Sequence, residues 1–331
     1  MSIILGRGAF AGALLLSVLV APHAVDAQRA DRVYRIGVLE PTPQARNSPN
    51  VAAFRQGLRE LGYVEGRNLV IEYRAPVGGA TGFSDAANEL VRSNVDVIVT
   101  RGTPAVMAAR NATRTIPIVM AASGDPLGTG VVAGLVTSGG NVTGLSAFTS
   151  ELSSKRLQLL REAVPGSARI GALLNSGNPA GEAEWKAIER ATGSVGIRAA
   201  LLDVRNAEDL GRAFDAAIER RLAAVIVGLD TVMQNNVGRI VDLAAKHRLP
   251  AMFASREFVE AGGLIAYGVS YPDLYRRAAA YVDKVLKGAK PADLPIEQPM
   301  KFELVINLRT ASTLGVTIPP SLRLQADRVI E

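Results

Sequence analysis

The sequence runs to 331 residues, 48% hydrophobic and 21% charged, with a net charge of +6, no cysteine and two histidines. A chain of this length buries more than one core usually holds, so two domains are expected; the missing cysteines exclude disulfide scaffolds, thiolate zinc sites, iron–sulfur clusters and cysteine nucleophiles. Histidine is confined to His23 and His247, which leaves a Ser-His-Asp triad one candidate base outside the leader and a multi-histidine metal site none.

Residues 1–27 read as an export signal. Arg7 supplies a positive start, Ala9 to Val20 form an apolar run, and Val25-Asp26-Ala27 places small residues at the −3 and −1 positions of a cleavage site after Ala27. A bilayer span needs about 20 apolar residues, and this run ends sooner, at Pro22, His23 and Asp26. A lipoprotein signal would carry a cysteine, so the mature chain is expected free in the periplasm. Cleavage leaves 36 basic and 30 acidic residues. The excess is dispersed, with Arg220-Arg221 and Arg276-Arg277 inside helical patterns, and no aromatic-interleaved basic stripe points to nucleic acid.

From residue 33 onward, apolar runs of strand length alternate with amphipathic stretches of helix length. That is the pattern of parallel sheets covered on both faces. Strands are expected at Tyr34 to Leu39, Leu69 to Tyr73, Val95 to Thr100, Ile116 to Ala121, Val142 to Leu145, Arg169 to Leu174, Arg198 to Val204, Ala223 to Gly228, Ala251 to Ala254, Leu264 to Val269 and Phe302 to Ile306. Helices are expected at Asn50 to Leu61, Ser84 to Ser93, Thr103 to Ala112, Glu151 to Ala163, Ala180 to Val195, Ala207 to Arg220, Thr231 to Lys246 and Tyr271 to Leu286. Eleven strands fit two doubly wound lobes better than one sheet. The segment from Val97 to Ala121 is echoed from Val225 to Ala254, either because the lobes are similar or because all strand–helix–strand units share this grammar.

In open parallel sheets, ligands gather beyond the carboxyl ends of strands, where helix N-termini present free N–H groups. Polar residues stand at those ends: Glu40 to Ser48, Arg101-Gly102-Thr103, Ala122 to Asp125, Asn175 to Asn178, Leu229-Asp230-Thr231 and Ser255-Arg256-Glu257. Each hydroxyl or amide can cap a helix or bind a ligand. Asp125-Pro126 reads as an N-cap followed by an N1 proline. Either Asp230 or Thr231 can cap the helix that follows, and with the threonine available the aspartate is freer to meet a ligand ammonium. Arg256 reads equally as an anion clamp or as a partner of Glu257 or Glu260, and His247 reads as exposed at a charged helix end. Neither a dinucleotide fingerprint nor a phosphate loop nor a nucleophile elbow occurs, so no catalytic residue, cofactor or metal site is expected.

Several long strings resemble ABC-transporter substrate-binding proteins of the tryptophan and aromatic-amino-acid group. They are Pro117 to Met120 leading into Gly124-Asp125-Pro126-Leu127, Gly139 to Ser146, Glu260 to Leu264 with Tyr267-Gly268, Asp273 to Ala278, and Lys301 to Asn307. The resemblance spans about Arg35 to Ile330. It implies a type I periplasmic binding fold, with α/β lobes joined by a three-strand hinge. The crossings would fall near Ser146, Val269 and Pro295, making lobe one 32–147 with 269–295 and lobe two 148–268 with 296–331. The implied protein is a monomer that closes on a small polar solute, an amino acid or similar, and presents it to an ABC permease. A carboxylate is expected near Thr103 and Ser123 and an ammonium at Asp230. Tyr267 or Phe148 would line the side-chain pocket, and Asn175 and Arg256 complete the candidate binding residues. The alternatives are an exported enzyme acting through Asp230 and Arg256 in the same cleft, or a ligand-sensing partner of a membrane receptor.

Overall fold

The computed structural model describes residues 32–77, 82–136 and 140–331. The expected leader, 1–27, lies outside the described residues. Among the described residues, no helix is long and apolar enough to cross a membrane.

Two doubly wound sheets form, as the alternating pattern requires. The first takes β1 (Tyr34–Leu39), β2 (Leu69–Arg74), β3 (Val97–Arg101), β4 (Ile118–Ser123), β5 (Val142–Ser146) and β11 (Ile296–Glu297), in the order β11-β5-β4-β3-β1-β2. The second takes β6 (Arg169–Leu174), β7 (Arg198–Asp203), β8 (Ala224–Val227), β9 (Ala251–Phe253), β10 (Ile265–Val269), β12 (Phe302–Asn307) and β13 (Arg328–Ile330), in the order β13-β12-β10-β9-β8-β6-β7. All described pairings are parallel except β10 with β12.

Both sheets bury two faces, because strand side chains alternate sides. Val97 and Val99 join Phe54 and Leu58 of helix α1 (Ser48–Glu60), whereas Ile98 joins Phe83 and Leu90 of α2 (Gly82–Arg92) and Val106 of α3 (Thr103–Ala112). In the second sheet, Ile226 packs toward α4 (Leu152–Ala163) and α5 (Pro179–Gly193). Val225 and Val227 face α6 (Asp209–Glu219), with α7 (Thr231–Asn235) and α8 (Val237–Lys246) beside it.

The chain passes between sheets three times. It leaves the first after β5 and the second after β10, whereupon α10 (Tyr271–Leu286) packs on α1 and β4 of the first sheet. Ile296 and Glu297 were expected in lobe two, but β11 pairs with Gly144 and Leu145 of β5, so the third crossing follows Glu297. Only then does β12 enter the second sheet.

The internal echo has a structural counterpart. β3-α3-β4 and β8-α7-α8-β9 occupy matching positions, since the orders β2-β1-β3-β4-β5 and β7-β6-β8-β9-β10 are the same. Other local expectations are corrected. The helix expected over Thr231 to Lys246 is two, divided at Asn236, whose side chain turns back to the Val232 carbonyl (2.8 Å). No helix follows Asp125-Pro126; the Asp125 carboxylate instead accepts the Gly128 N–H at 2.9 Å and closes a turn. His247 is mostly covered, its side chain 16% exposed and its ring stacked on Phe214. Short elements without a legible period also appear: β11, β13, α9 (Arg256–Glu260), α11 (Leu308–Leu314) and α12 (Pro320–Gln325).

Candidate functional site

A doubly wound sheet opens a crevice where its strand order reverses, because consecutive connections there run to opposite faces. In the first sheet that point lies between β1 and β3, and in the second between β6 and β8. The residues beyond these four strand ends meet between the sheets. The Arg46 guanidinium donates to the Asn235 carbonyl (3.1 Å) and the Asn235 amide donates to the Pro41 carbonyl (3.2 Å). A Cβ on Gly124 would stand 2.8 Å from the Ala180 methyl, so only glycine permits this approach of the two halves. Leu229 packs against the cores of both.

Between the halves lies a cavity of about 440 Å³, a size suited to a small solute. The first sheet lines it with Thr42, Asn47 and Arg101, and the second with Gln234, Ser255 and Glu257. Leu229, Val237 and Phe258 supply apolar surface. A hollow of about 30 Å³, bordered by Thr103, Thr149, Asn178 and Asp230, adjoins it and shares Arg101, Leu229 and Gln234.

Arg101 is the central cation. It is 6% exposed, donates to the Asn47 amide oxygen at 3.2 Å and lies 4.3 Å over the Tyr271 ring. Burial by itself would lower its pKa, but Tyr275, Tyr271, Glu40 and Glu257 around it hold it above the ordinary arginine value. Beneath it Glu40 is fully buried and accepts a hydrogen bond from the Tyr275 hydroxyl. Burial raises the Glu40 carboxyl to about 7, against the opposing pull of Arg101. Four buried polar atoms on the cavity-lining residues have no partner among the described residues: Arg101 Nε, Asn50 Oδ1, Gln234 Oε1 and Glu257 Oε2. Such atoms carry a desolvation cost that a ligand can offset.

The sequence-selected residues divide into three groups. Thr103 and Ser123 meet, with their hydroxyls 3.3 Å apart and buried, and Thr103 borders the small hollow. Asp230 also borders it, but its Oδ1 accepts the N–H groups of Val232 and Met233 at 2.9 and 3.1 Å, while Oδ2 accepts from the Asn175 amide at 2.6 Å. Asp230 itself, not Thr231, therefore caps α7. Burial raises its pKa in spite of these bonds. Arg256 and Tyr267 line neither space. Arg256 pairs with Glu303 at 3.4 Å and Glu260 at 3.9 Å, and Tyr267 stacks with Phe302 at 6.2 Å. Phe148 packs on the first core with φ of 54°.

Because Asp230 is a cap, Asp230→Asn is expected to cost little, whereas Asp230→Ala should lower unfolding free energy by about 1 kcal/mol. Urea denaturation of the three proteins checks this, and equal losses for both variants would contradict the capping role.

Sequence reasoning passed over Arg101, Glu40, Asn47, Gln234 and Glu257 as individual residues, although it marked the loops of all but Gln234, which lies within α7. The signal was present: an arginine closing the apolar strand Val-Ile-Val-Thr-Arg, and a glutamate following Gly-Val-Leu. A charge at that place needs a partner that only the fold can supply.

A profile of ABC transporter substrate binding proteins matches residues 36–330. The chain is 24% identical over 276 residues to a tyrosine-binding protein of Clostridioides difficile, covering 83% of this chain and 78% of that protein. The crystal structure of an ABC domain in complex with L-Trp from Streptococcus pneumonia aligns with a TM-score of 0.83 at 26% identity, over 90% of this chain and all of that one. A conserved domain protein from Vibrio cholerae aligns with a TM-score of 0.85 at 27% identity, with the same coverage.

Proposed function

The chain belongs to the ABC transporter substrate-binding proteins, and on that premise we propose that it is the periplasmic solute receptor of an ABC importer, binding a small amino-acid-like molecule between its lobes. The family's members are binding proteins, and two of the relatives named above are a tyrosine-binding protein and a domain in complex with L-Trp. The observation that carries the reading is the cavity of about 440 Å³ at the two facing switch points, lined by polar residues of both halves, Asn47 and Arg101 from one and Gln234 and Glu257 from the other.

In this reading, lobe one comprises 32–147 with 270–297 and lobe two 148–269 with 298–331. The three crossing segments are the hinge. Solute joins Arg101 and Asn47 of lobe one to Gln234 and Glu257 of lobe two. Closure removes water, so each polar contact strengthens in a low-dielectric space, and the closed monomer docks on its permease. Thr103 and Asp230 border the adjoining hollow, and Ser123 and Asn175 hold them by hydrogen bonds without lining it. The leader at 1–27 directs export. A catalytic pair of Asp230 and Arg256 finds no support, because Arg256 is engaged with Glu303 and Glu260 away from the cavity.

The test is a thermal-shift screen on protein unfolded, freed of small molecules and refolded. A panel of amino acids and related carboxylic acids is expected to contain at least one stabilising solute, which adds about 2.7 kcal/mol at a hundred times its Kd and is recovered unchanged. No stabilisation across the panel at millimolar concentration would overturn the receptor reading.

A further inference from the structure

The cavity's charges are unbalanced in a way that specifies its solute. Four charged residues line it: Arg46, Arg101, Arg239 and Glu257. None of the three guanidinium groups has a carboxylate within ion-pair distance among the described residues, although many arginines elsewhere in the chain do. Arg46 and Arg239 are exposed and come from opposite halves, whereas Arg101 is buried between them. The adjoining hollow adds one carboxylate, Asp230, whose oxygens are already taken by the α7 cap and Asn175.

Burying a guanidinium without an anion is costly, and proteins ordinarily satisfy it with a paired carboxylate. Here Arg101 receives one neutral amide oxygen and one aromatic face, and Nε is left without an acceptor. Glu40, a carboxylate of its own half, has an unpartnered oxygen of its own and is bonded to Tyr275 rather than to Arg101. No carboxylate of the described residues therefore pairs with the cation directly, and Glu40 and Glu257 act on it only from beyond ion-pair distance. Acceptors that lack donors lie on both walls: Asn50 Oδ1 in the half of Arg101, and Gln234 Oε1 and Glu257 Oε2 in the other. A solute that suits this lining carries an anionic group for Arg101 and N–H or O–H donors besides.

We propose that this receptor selects a small organic anion of net negative charge, with its carboxylate on Arg101 and its donor groups on Gln234 and Glu257. The proposal rests on the receptor reading and narrows it: the lining carries a net positive charge, so a solute with excess negative charge is preferred to a neutral zwitterion of the same shape. The exposed Arg46 and Arg239 add a positive field at the cleft that favours anion entry and weakens with salt.

The experiment is isothermal titration of ligand-free protein with probes of matched shape and different charge: L-tyrosine, N-acetyl-L-tyrosine and L-tyrosinamide, together with L-glutamate and L-glutamine. At least one anion is expected to bind tenfold or more tightly than its neutral counterpart, with affinity falling between 50 and about 300 mM salt by screening. Arg101→Met should weaken that anion about 30-fold or more, as truncating one partner of a buried charge pair does. Arg101→Lys, which keeps the charge, should retain more of the binding. The wild-type comparison needs no variant, so poor folding of either leaves the result readable. Tight binding of L-tyrosine or L-glutamine, with the anions weaker and Arg101→Met indifferent, would overturn the anion selectivity and leave the receptor reading intact. Failure of every probe, together with a blank thermal-shift screen, would overturn both.

Discussion

Arg156→Met is expected to remove about 3–5 kcal/mol of stability, the cost of stranding one charge of a buried pair. Arg156 and Glu184 are 1% and 3% exposed and 2.7 Å apart. The arginine does more than neutralise. Its Nε donates to the Tyr267 carbonyl at 2.9 Å and its Nη1 to the Thr149 carbonyl at 3.3 Å. Thr149 follows the first passage between the sheets and Tyr267 precedes the second, so one guanidinium ties two hinge segments to α4 and α5. Once it is gone, Glu184, whose pKa burial already raises, has no counter-charge. The double variant Arg156→Met, Glu184→Leu should lose less than Arg156→Met alone, because the stranded carboxylate leaves with its partner. Chemical denaturation followed by Trp185, the chain's single tryptophan and a neighbour of the same core, reports the change. A loss below about 1 kcal/mol would show that the pair is not the anchor its burial implies.

Glu40→Gln is expected to flatten a stability profile that wild type shows between pH 5 and 8. Burial raises the folded-state pKa of Glu40 from 4.5 to about 7, so between those values the folded protein holds a proton that the unfolded chain has released. The stabilisation linked to that proton is complete below pH 4.5 and is lost as pH rises through about 7. The shift corresponds to about 3 kcal/mol. The groups facing Glu40 are Tyr275 from α10, Arg101 from β3 and Tyr73 from β2; burial, and next Glu40, raise the Tyr73 pKa as well, so neither tyrosine competes for the proton in this range. Glutamine keeps an acceptor for Tyr275 and cannot ionise. The difference in unfolding free energy between Glu40→Gln and wild type should therefore grow in the variant's favour from pH 5 to pH 8. A difference independent of pH would place the titration elsewhere.

The two predictions concern charges that the amino-acid sequence shows openly and whose surroundings it hides. Arg156 falls in an ordinary amphipathic helix, with the same local pattern as any solvent-facing arginine. It becomes a buried anchor because Glu184, Thr149 and Tyr267, distant in the chain, converge on it. Arg101 and Glu40 end apolar strands, which was the one local hint, yet nothing nearby in sequence says that Tyr271 and Tyr275 will cover them from α10. Asp230 shows the reverse limit. The neighbouring threonine made two caps equally readable, and backbone geometry at the start of α7 chose the aspartate.

The alternation of apolar strands and amphipathic helices determined two doubly wound lobes without any coordinates, because hydrophobic periodicity is a property of consecutive residues. Strand ends likewise marked polar loops, among them those of Asn47, Arg101 and Glu257 that line the cavity. Tertiary structure alone decided which charges from those loops are desolvated, which are already paired, and which remain open toward the cavity. Burial and pairing depend on residues far apart in the chain, and a low dielectric makes those distant neighbours, not local sequence, the main control on a charge's energy.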